Sequence, residues 1–408
     1  KAPTPIAGKM GLDANLPILR DGTISPQVAN PQIIARGNVG WVRLNFVLGP
    51  WETVTDQTVY AGCTWQQAYA RIISGFRQQG LRIYALVGAE AVRPSDFKDS
   101  FRRPPPSQST PHAWIEKYVD TFVTVLQMFG ADVEMAESIN EPDDYHGGTS
   151  NWVHPEWFAI ILHRLHEAVR AEPRIAHVKL VSGPVQGLDA NNNDGVRYLS
   201  STYSYGMRRF GWGTSTSPFP FDCVGYHLYG EEDLKSWPAQ KLAIQYTYGR
   251  FLRELKQTIQ KAEGAAKPVC VSEFGWHSNG GKEELQKQSL PYAASLLHED
   301  PQVELAIAFC TQDFGPQAGN KFYGLYRPDG VTLWHRKPVY YPFRRLCSRM
   351  ATTTGRPTAD PPSDFTHWDL LNAFHIVSNT LGQGDWGLLS KTDLDVAAYT
   401  RSQSAAYN

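Results

Sequence analysis

The 408-residue chain contains no run of about 18 apolar residues, so no segment reads as a membrane-spanning helix. It also lacks a P-loop, a G-x-S-x-G elbow, an H-E-x-x-H helix and a C-x-x-C pair. These absences remove the commonest signatures of phosphate, acyl-transfer and metal chemistry. Charge of one sign is lacking too. Thirty-nine basic and 40 acidic residues leave a formal −1, so no global field draws nucleic acid or a membrane surface. Cysteine is scarce: Cys63, Cys223, Cys270, Cys310 and Cys347 show no framework spacing. Three of them fall in apolar strand candidates, where free Cys behaves as a small hydrophobe, and a Cys63–Cys347 bridge stays open. There is no N-x-S/T sequon. The chain begins at Lys1 with no signal-like apolar region, compatible with a secreted protein after processing or with a trimmed, otherwise cytoplasmic chain.

Aromatics, by contrast, are abundant, with 12 Trp and 19 Tyr against 5 Met. Most such rings fill cores. Others offer flat apolar faces with polar tips, which suit the CH face of a sugar. With 42% hydrophobic and 19% charged residues the composition is that of a folded globular protein, and a neutral partner is expected.

Eight apolar or alternating runs read as strands, at 9–13, 40–46, 82–88, 133–139, 178–182, 223–228, 268–272 and 304–311. Helical periodicity fills the intervals at 65–79, 114–129, 155–171, 240–262 and 284–298, with a last helix at 341–350. Gly80 and Gly130 stand where helices should stop. Strict alternation predicts parallel strands with helical crossovers, an α/β fold of the (β/α)8 TIM-barrel type. An open doubly wound sheet would want a Gly-rich phosphate turn after its first strand, and none is present. Extra length falls after strands, in predicted loops at 93–111 and 189–220, where a barrel builds its site. The barrel thus spans 1–350. A Thr/Pro/Asp-rich linker follows at 351–364, and a short extension at 365–408 packs on the barrel or begins a further module.

Two motifs end candidate strands four and seven: Glu137-Ser138-Ile139-Asn140-Glu141-Pro142-Asp143 and Val271-Ser272-Glu273-Phe274-Gly275-Trp276. Strands four and seven face one another across a barrel mouth, so the two glutamates converge. Glycoside hydrolysis needs such a pair, one carboxyl protonated to donate to the leaving oxygen and one ionised. Either motif alone is also an ordinary solvated loop.

Asn140-Glu141-Pro142 and Ser272-Glu273-Phe274-Gly275 resemble the signature strands of glycoside hydrolase clan A, most like family 39 and its relatives. The resemblance spans roughly residues 5–350. It implies retaining hydrolysis of a β-linked sugar, with Glu141 as acid/base and Glu273 as nucleophile. It further implies that Arg43 supports the nucleophile, that Asn140 bonds the sugar 2-hydroxyl, and that His227 and Tyr229 lie near the nucleophile. Glu137 matches the acidic residue of the W-E-x-W-N-E-P form. One departure stands out: the clan's Trp at the end of strand eight is missing, for that end reads Phe309-Cys310-Thr311-Gln312-Asp313-Phe314-Gly315. Phe314, Trp276 or the Phe322-Tyr323 pair are the candidate substitutes.

Physical chemistry supports these roles separately. An interior Arg43 must be paired, and Glu273 is a natural partner; that pairing would lower the pKa of Glu273 and keep it charged. Tyr229 would fix the Glu273 rotamer. Glu137, Ile139 and Glu141 share one strand parity. Glu137 then either raises the proton affinity of Glu141 or is neutralised by Arg43 and positions it. His227 contacts substrate or is a satisfied core histidine. Asp143 and Asp144 read as loop-capping. His163 and His166 border the surface. No metal or organic cofactor is implied. The expected carboxyl separation is about 5–5.5 Å, the retaining distance. The rival readings are a carbohydrate-binding barrel without turnover and a transglycosylase using the same glutamates.

Overall fold

Alternation of short apolar strands with amphipathic helices leaves each strand two faces to bury, one toward a barrel axis and one toward a helix layer. The computed structural model describes residues 8–94, 101–106, 112–144, 152–187, 193–229, 236–313, 322–327 and 336–352. Its nine described strands are β1 (Met10–Asp13), β2 (Trp41–Asn45), β3 (Arg82–Leu86), β4 (Val133–Glu137), β5 (Lys179–Val181), β6 (Val185–Gly187), β7 (Val224–Leu228), β8 (Val269–Phe274) and β9 (Val303–Ala308). Their order is β5-β4-β3-β2-β1-β9-β8-β7-β6, all parallel. The sheet closes on itself, because Val181 bridges Cys223 in parallel and Ser182 N–H donates to the Cys223 carbonyl at 3.1 Å. β5 and β6 are thus two halves of the fifth barrel strand. The break falls at Gly183-Pro184, where Pro184 has no N–H for a ladder.

Outside the ring lie α1 (Pro26–Ala29), α2 (Gln32–Ala35), α3 (Trp65–Gln78), α4 (Ala113–Phe129), α5 (Pro155–Ala171), α6 (Asp194–Phe210), α7 (Trp237–Glu263), α8 (Glu283–Glu299) and α9 (Tyr340–Thr352). α3 shows why these segments are helical. Thr64 and Gln67 form a reciprocal capping box, Trp65, Ala68, Tyr69, Ile72, Ile73 and Phe76 make one buried stripe, and Gly80 follows at φ +76°. Most of the buried apolar residues lie in one continuous core that includes these helix stripes. A second, separate cluster consists of Trp41, Tyr84, Met135, Val181, Cys223, Cys270, Leu305 and Ile307, drawn from alternate strand positions, and fills the barrel axis.

One expectation needs correction, and two points that the sequence left open are bounded. The predicted 189–220 loop contains the 17-residue α6. Its buried residues are Gly195, Tyr198, Leu199, Thr202, Tyr203 and Gly206, which follow the helical period as regularly as those of α3, but only one of them is aliphatic and the helix is polar on average. α9 continues through Thr352 into the predicted linker, and residues 353–408 lie outside the described ones, so the extension does too. All five cysteines are free and buried, and the Cys63–Cys347 bridge is not formed.

The strand break generates a prediction. A Cβ built on Gly183 would lie 2.2 Å from the Ile139 carbonyl oxygen and 3.0 Å from Phe158, so backbone must move to admit it. Gly183→Ala should therefore destabilise the protein by about 1–3 kcal/mol, the usual overpacking range. A lowered urea midpoint at unchanged slope would register it. An unchanged midpoint would mean that the two strand ends are not in contact.

Candidate active site

The C-terminal ends of β1, β2, β4 and β8 meet around one guanidinium. Arg43 shares inward parity with Trp41 on β2, and its register partners are Asp13 on β1 and Tyr84 on β3. Its Nε and Nη2 donate to Glu137 Oε1 at 3.1 and 2.7 Å. Nη1 donates to Asp13 Oδ2 at 3.0 Å and to Glu273 Oε1 at 2.6 Å, and Nη2 also reaches Asn140 Oδ1 at 2.7 Å. Tyr84 closes the set by donating its hydroxyl to Glu137 Oε2 at 2.6 Å. Glu137 is wholly buried with both oxygens occupied and holds Arg43; it also adds, as a minor contribution, to the raised proton affinity of Glu141.

Glu273 reaches the cluster through an irregularity. The register between β7 and β8 shifts after Tyr226–Val271, so that His227 sits opposite Glu273, and the β8–β9 register shifts between Val271 and Phe274. Such a bulge re-aims one side chain without ending the strand. Tyr229 donates its hydroxyl to Glu273 Oε2 at 2.6 Å. The expectation of a lowered pKa for Glu273 does not hold. Burial pushes this carboxyl above its ordinary 4.5, against the opposing pulls of His227 and Arg43. The physical reason is division of charge: one guanidinium serves Asp13, Glu137 and Glu273 together.

Glu141 arrives by a turn rather than by strand alternation. β4 ends at Glu137, Ile139 belongs to the core outside the barrel, and Glu141 takes φ +46°, a left-handed conformation uncommon outside glycine. Its carboxyl is 17% exposed and its Oε1 lies 2.7 Å from His227 Nδ1. Burial pushes the acid up to about 7, with Asp144 adding to the rise, Arg43 and the Gln186 side chain opposing it, and Glu137 contributing less. Asp144, read from sequence as a cap, thus tunes the acid, and neighbouring Asp143 accepts Gln186 N–H at 2.9 Å. Burial raises Asp143 as well, to about 7. His227 is fully buried and burial holds its imidazole below 6.5, hence neutral near pH 7. A proton on Nδ1 then serves Glu141, while Nε2 has no hydrogen-bond partner. One donor atom each from Glu141, His227 and Glu273 lie within 4.8 Å of one another. That set could ligate a cation, but His227 and Glu273 already use theirs internally.

Aromatic placement differs from expectation. Trp276 is 2% exposed and stacks on Tyr248 of α7 at 5.7 Å, so its ring belongs to the core and presents no face to substrate. Tyr323 does come to the site, edge-on to Tyr229 with centroids 5.6 Å apart, and Phe309 at the end of β9 packs edge-on against Tyr323 at 5.6 Å. Phe314 lies outside the described residues. Asp13, Tyr84 and Gln186 were not singled out from sequence: the first two look like ordinary strand residues, and Gln186 follows the strand break. His163 lies with Phe210 and Glu167 on the outer wall, away from this site. A groove of about 830 Å³ along α7, lined by residues such as Gln245, Arg253 and Gln257, shares none of these side chains.

No known protein family and no curated protein matches the sequence. Solved structures share its fold. A glucosidase from Croceicoccus marinus is 14% identical with a TM-score of 0.57, over 86% of this chain and 69% of that one. A GH5-4 broad specificity endoglucanase from Clostridium longisporum is 11% identical with a TM-score of 0.55, over 84% and 96%. A family 39 glycoside hydrolase from the gut symbiont Bacteroides cellulosilyticus WH2 is 14% identical with a TM-score of 0.52, over 84% of this chain and 64% of that one. The chain therefore spans just under two thirds of the family 39 enzyme. At such identities the likeness establishes the (β/α)8 barrel, a fold these glycoside hydrolases share.

The raised Glu141 carboxyl makes stability depend on pH. Between the unfolded value near 4.5 and the folded value near 7, the native state keeps a proton that the unfolded chain has released. Rising pH therefore removes stability across that window. Glu141→Gln lacks this loss and should gain on wild type between about pH 5 and pH 8, by about 3 kcal/mol at most. Urea unfolding of both proteins at the two pH values measures it, and an equal pH dependence would refute the raised acid.

Proposed function

We propose that the protein is a retaining glycoside hydrolase acting on a β-linked glycoside, with Glu273 as nucleophile and Glu141 as acid and then base. The observation that carries this reading is the pair itself. A buried Glu273 and a part-exposed Glu141 each bring one oxygen within 4.8 Å of the other, beside His227. That spacing suits the retaining arrangement of about 5–5.5 Å, whereas an inverting pair needs about 6.5–9.5 Å to admit water between them.

The two environments divide the roles. Glu273 is held by the Arg43 guanidinium and the Tyr229 hydroxyl, both of which stabilise its anion and fix its rotamer. Glu141 touches no cation and keeps its proton up to about pH 7, as an acid catalyst requires. In the first step Glu141 protonates the glycosidic oxygen as the bond to the anomeric carbon breaks, and a Glu273 oxygen bonds to that carbon. In the second, Glu141, now ionised, takes a proton from water whose oxygen displaces Glu273. Asn140 gives its amide oxygen to Arg43, which leaves its NH₂ to donate to a sugar hydroxyl.

An aryl β-glycoside panel tests the reading. Glu273→Ala should lower kcat by about 10³-fold or more, and a 2-deoxy-2-fluoro glycoside should leave a mass adduct on Glu273 in the wild type. The product formed first should keep the β configuration; an inverted product would sink the mechanism. Failure of every glycoside at every pH would favour a binding barrel, and transfer to an added acceptor sugar in place of hydrolysis would favour the transglycosylase. The profile of kcat/KM should fall on the alkaline side near pH 7 as Glu141 ionises, with Asp143 titrating alongside. Its acid limb should stand above the ordinary 4.5, because burial raises Glu273. Glu141→Gln should abolish the alkaline limb.

A further inference from the structure

Tyr323 is a hub of edge-on aromatic contacts. Its ring meets Tyr229 at 5.6 Å and 65°, Phe309 at 5.6 Å and 67°, and His277 at 5.9 Å and 79°. It also packs over Gly275, two residues after the nucleophile, where a Cβ would lie 3.0 Å from Tyr323 and 2.7 Å from the Phe309 carbonyl. Glycine in Ser272-Glu273-Phe274-Gly275 thus makes the room that lets Tyr323 and Tyr229 touch. Tyr229 is the residue that donates to Glu273.

Tyr323 belongs to no barrel strand. It sits on the segment 322–327, which is fastened on both sides of it by buried polar groups. Lys337 Nζ donates to Asp313 Oδ1 and to the Phe322 carbonyl, both at 2.9 Å, and the two charged side chains are 1% and 5% exposed. Asp313 Oδ1 also accepts Gly324 N–H at 2.7 Å, and Asp313 N–H donates to the Tyr326 carbonyl at 2.9 Å. Gln286 of α8 donates to the Tyr323 carbonyl at 3.1 Å, and Asn279 accepts Phe322 N–H at 2.6 Å. A buried ion pair is weak as a source of stability, since an apolar pair of equal volume commonly does as well. What this pair does that an apolar one cannot is bond the backbone on either side of Tyr323.

We propose that Tyr323 forms a wall of the sugar site and holds Tyr229 against Glu273, with Lys337 and Asp313 as positioning residues that act only through Tyr323. The part of the half-buried ring that reaches the mouth offers an apolar surface to a pyranose CH face, and its contact with Tyr229 passes its placement to the nucleophile. This inference rests on the glycosidase reading above and adds to it a residue that governs both substrate fit and nucleophile position.

A thermodynamic cycle on the full chain tests it, using whichever aryl β-glycoside of the panel the wild type cleaves fastest. Asp313→Asn with Lys337→Met removes both charges together and leaves no unpaired buried ion. Tyr323→Ala and the paired variant should each lower kcat/KM by about 10–100-fold, with kcat falling as well as KM rising. The triple variant should be no worse than Tyr323→Ala alone, because the clamp acts only through that ring. Fluoroglycosyl labelling of Glu273 should slow in parallel. Tyr323→Phe, which keeps the ring and the fold, should stay within about threefold of wild type. Multiplying losses in the triple variant, or unchanged kinetics for Tyr323→Ala, would overturn the proposal while leaving the glycosidase reading intact. A wild type inert on the whole panel would sink that reading, and this proposal with it.

Discussion

The bond network of Arg43 is the constraint from which the rest of the site follows. One guanidinium joins Asp13 of β1, Glu137 of β4, Asn140 beyond it and Glu273 of β8. Burying it without those partners would be prohibitive, and burying those carboxyl groups without it would be equally so. Because a single positive charge is spread over three acidic partners, positive charge is in short supply at the mouth. Burial then decides the protonation of what remains, and it drives both Glu141 and Glu273 upward. The difference between the two glutamates is one of contact. Glu273 bonds Arg43 directly, whereas Glu141 feels it only at a distance and has His227, Gln186 and Asp144 as neighbours.

Regular structure brings these residues to one end of the barrel, and departures from regularity aim them. The β8 bulge turns Glu273 inward opposite His227. The break at Gly183-Pro184 starts β6 afresh, and β6 carries Gln186 to Glu141 and Asp143. The aromatic wall depends on a segment outside the ring, fixed by an ion pair and two side-chain amides.

What the sequence made legible has a pattern. Glu141 and Glu273 stood out because each lies in a short motif at the mouth end of an apolar strand, Glu273 within β8 and Glu141 in the turn that follows β4, and the eightfold alternation said that those two strands face each other. Arg43 was conspicuous as a cation inside a strand with no exposed face. Asp13 and Tyr84 were not, because an acid ending a strand and a tyrosine within one are commonplace until the partner is known. Trp276 misled for a related reason: a strand-end aromatic turns into the core or toward the mouth depending on what packs above it, here Tyr248. Helix α6 keeps a clear helical period, but tyrosines, a threonine and two glycines stand where aliphatic residues usually mark the buried stripe, so the segment read as a loop. Tyr323 was one of three candidate substitutes for the missing strand-eight Trp, but its contact with Tyr229 runs between segments more than ninety positions apart and shows only in space.

Glu141 occupies a backbone conformation that glycine or asparagine would adopt with less strain. It is at the same time a carboxyl group that the surrounding protein would rather not ionise. Both facts act in the same direction: the local fold favours losing this glutamate. A lineage released from the need for the acid would drift at this position toward a sturdier, inert barrel. A glutamate placed here, against both backbone and solvation, is a cost that the proposed acid role would require the fold to carry.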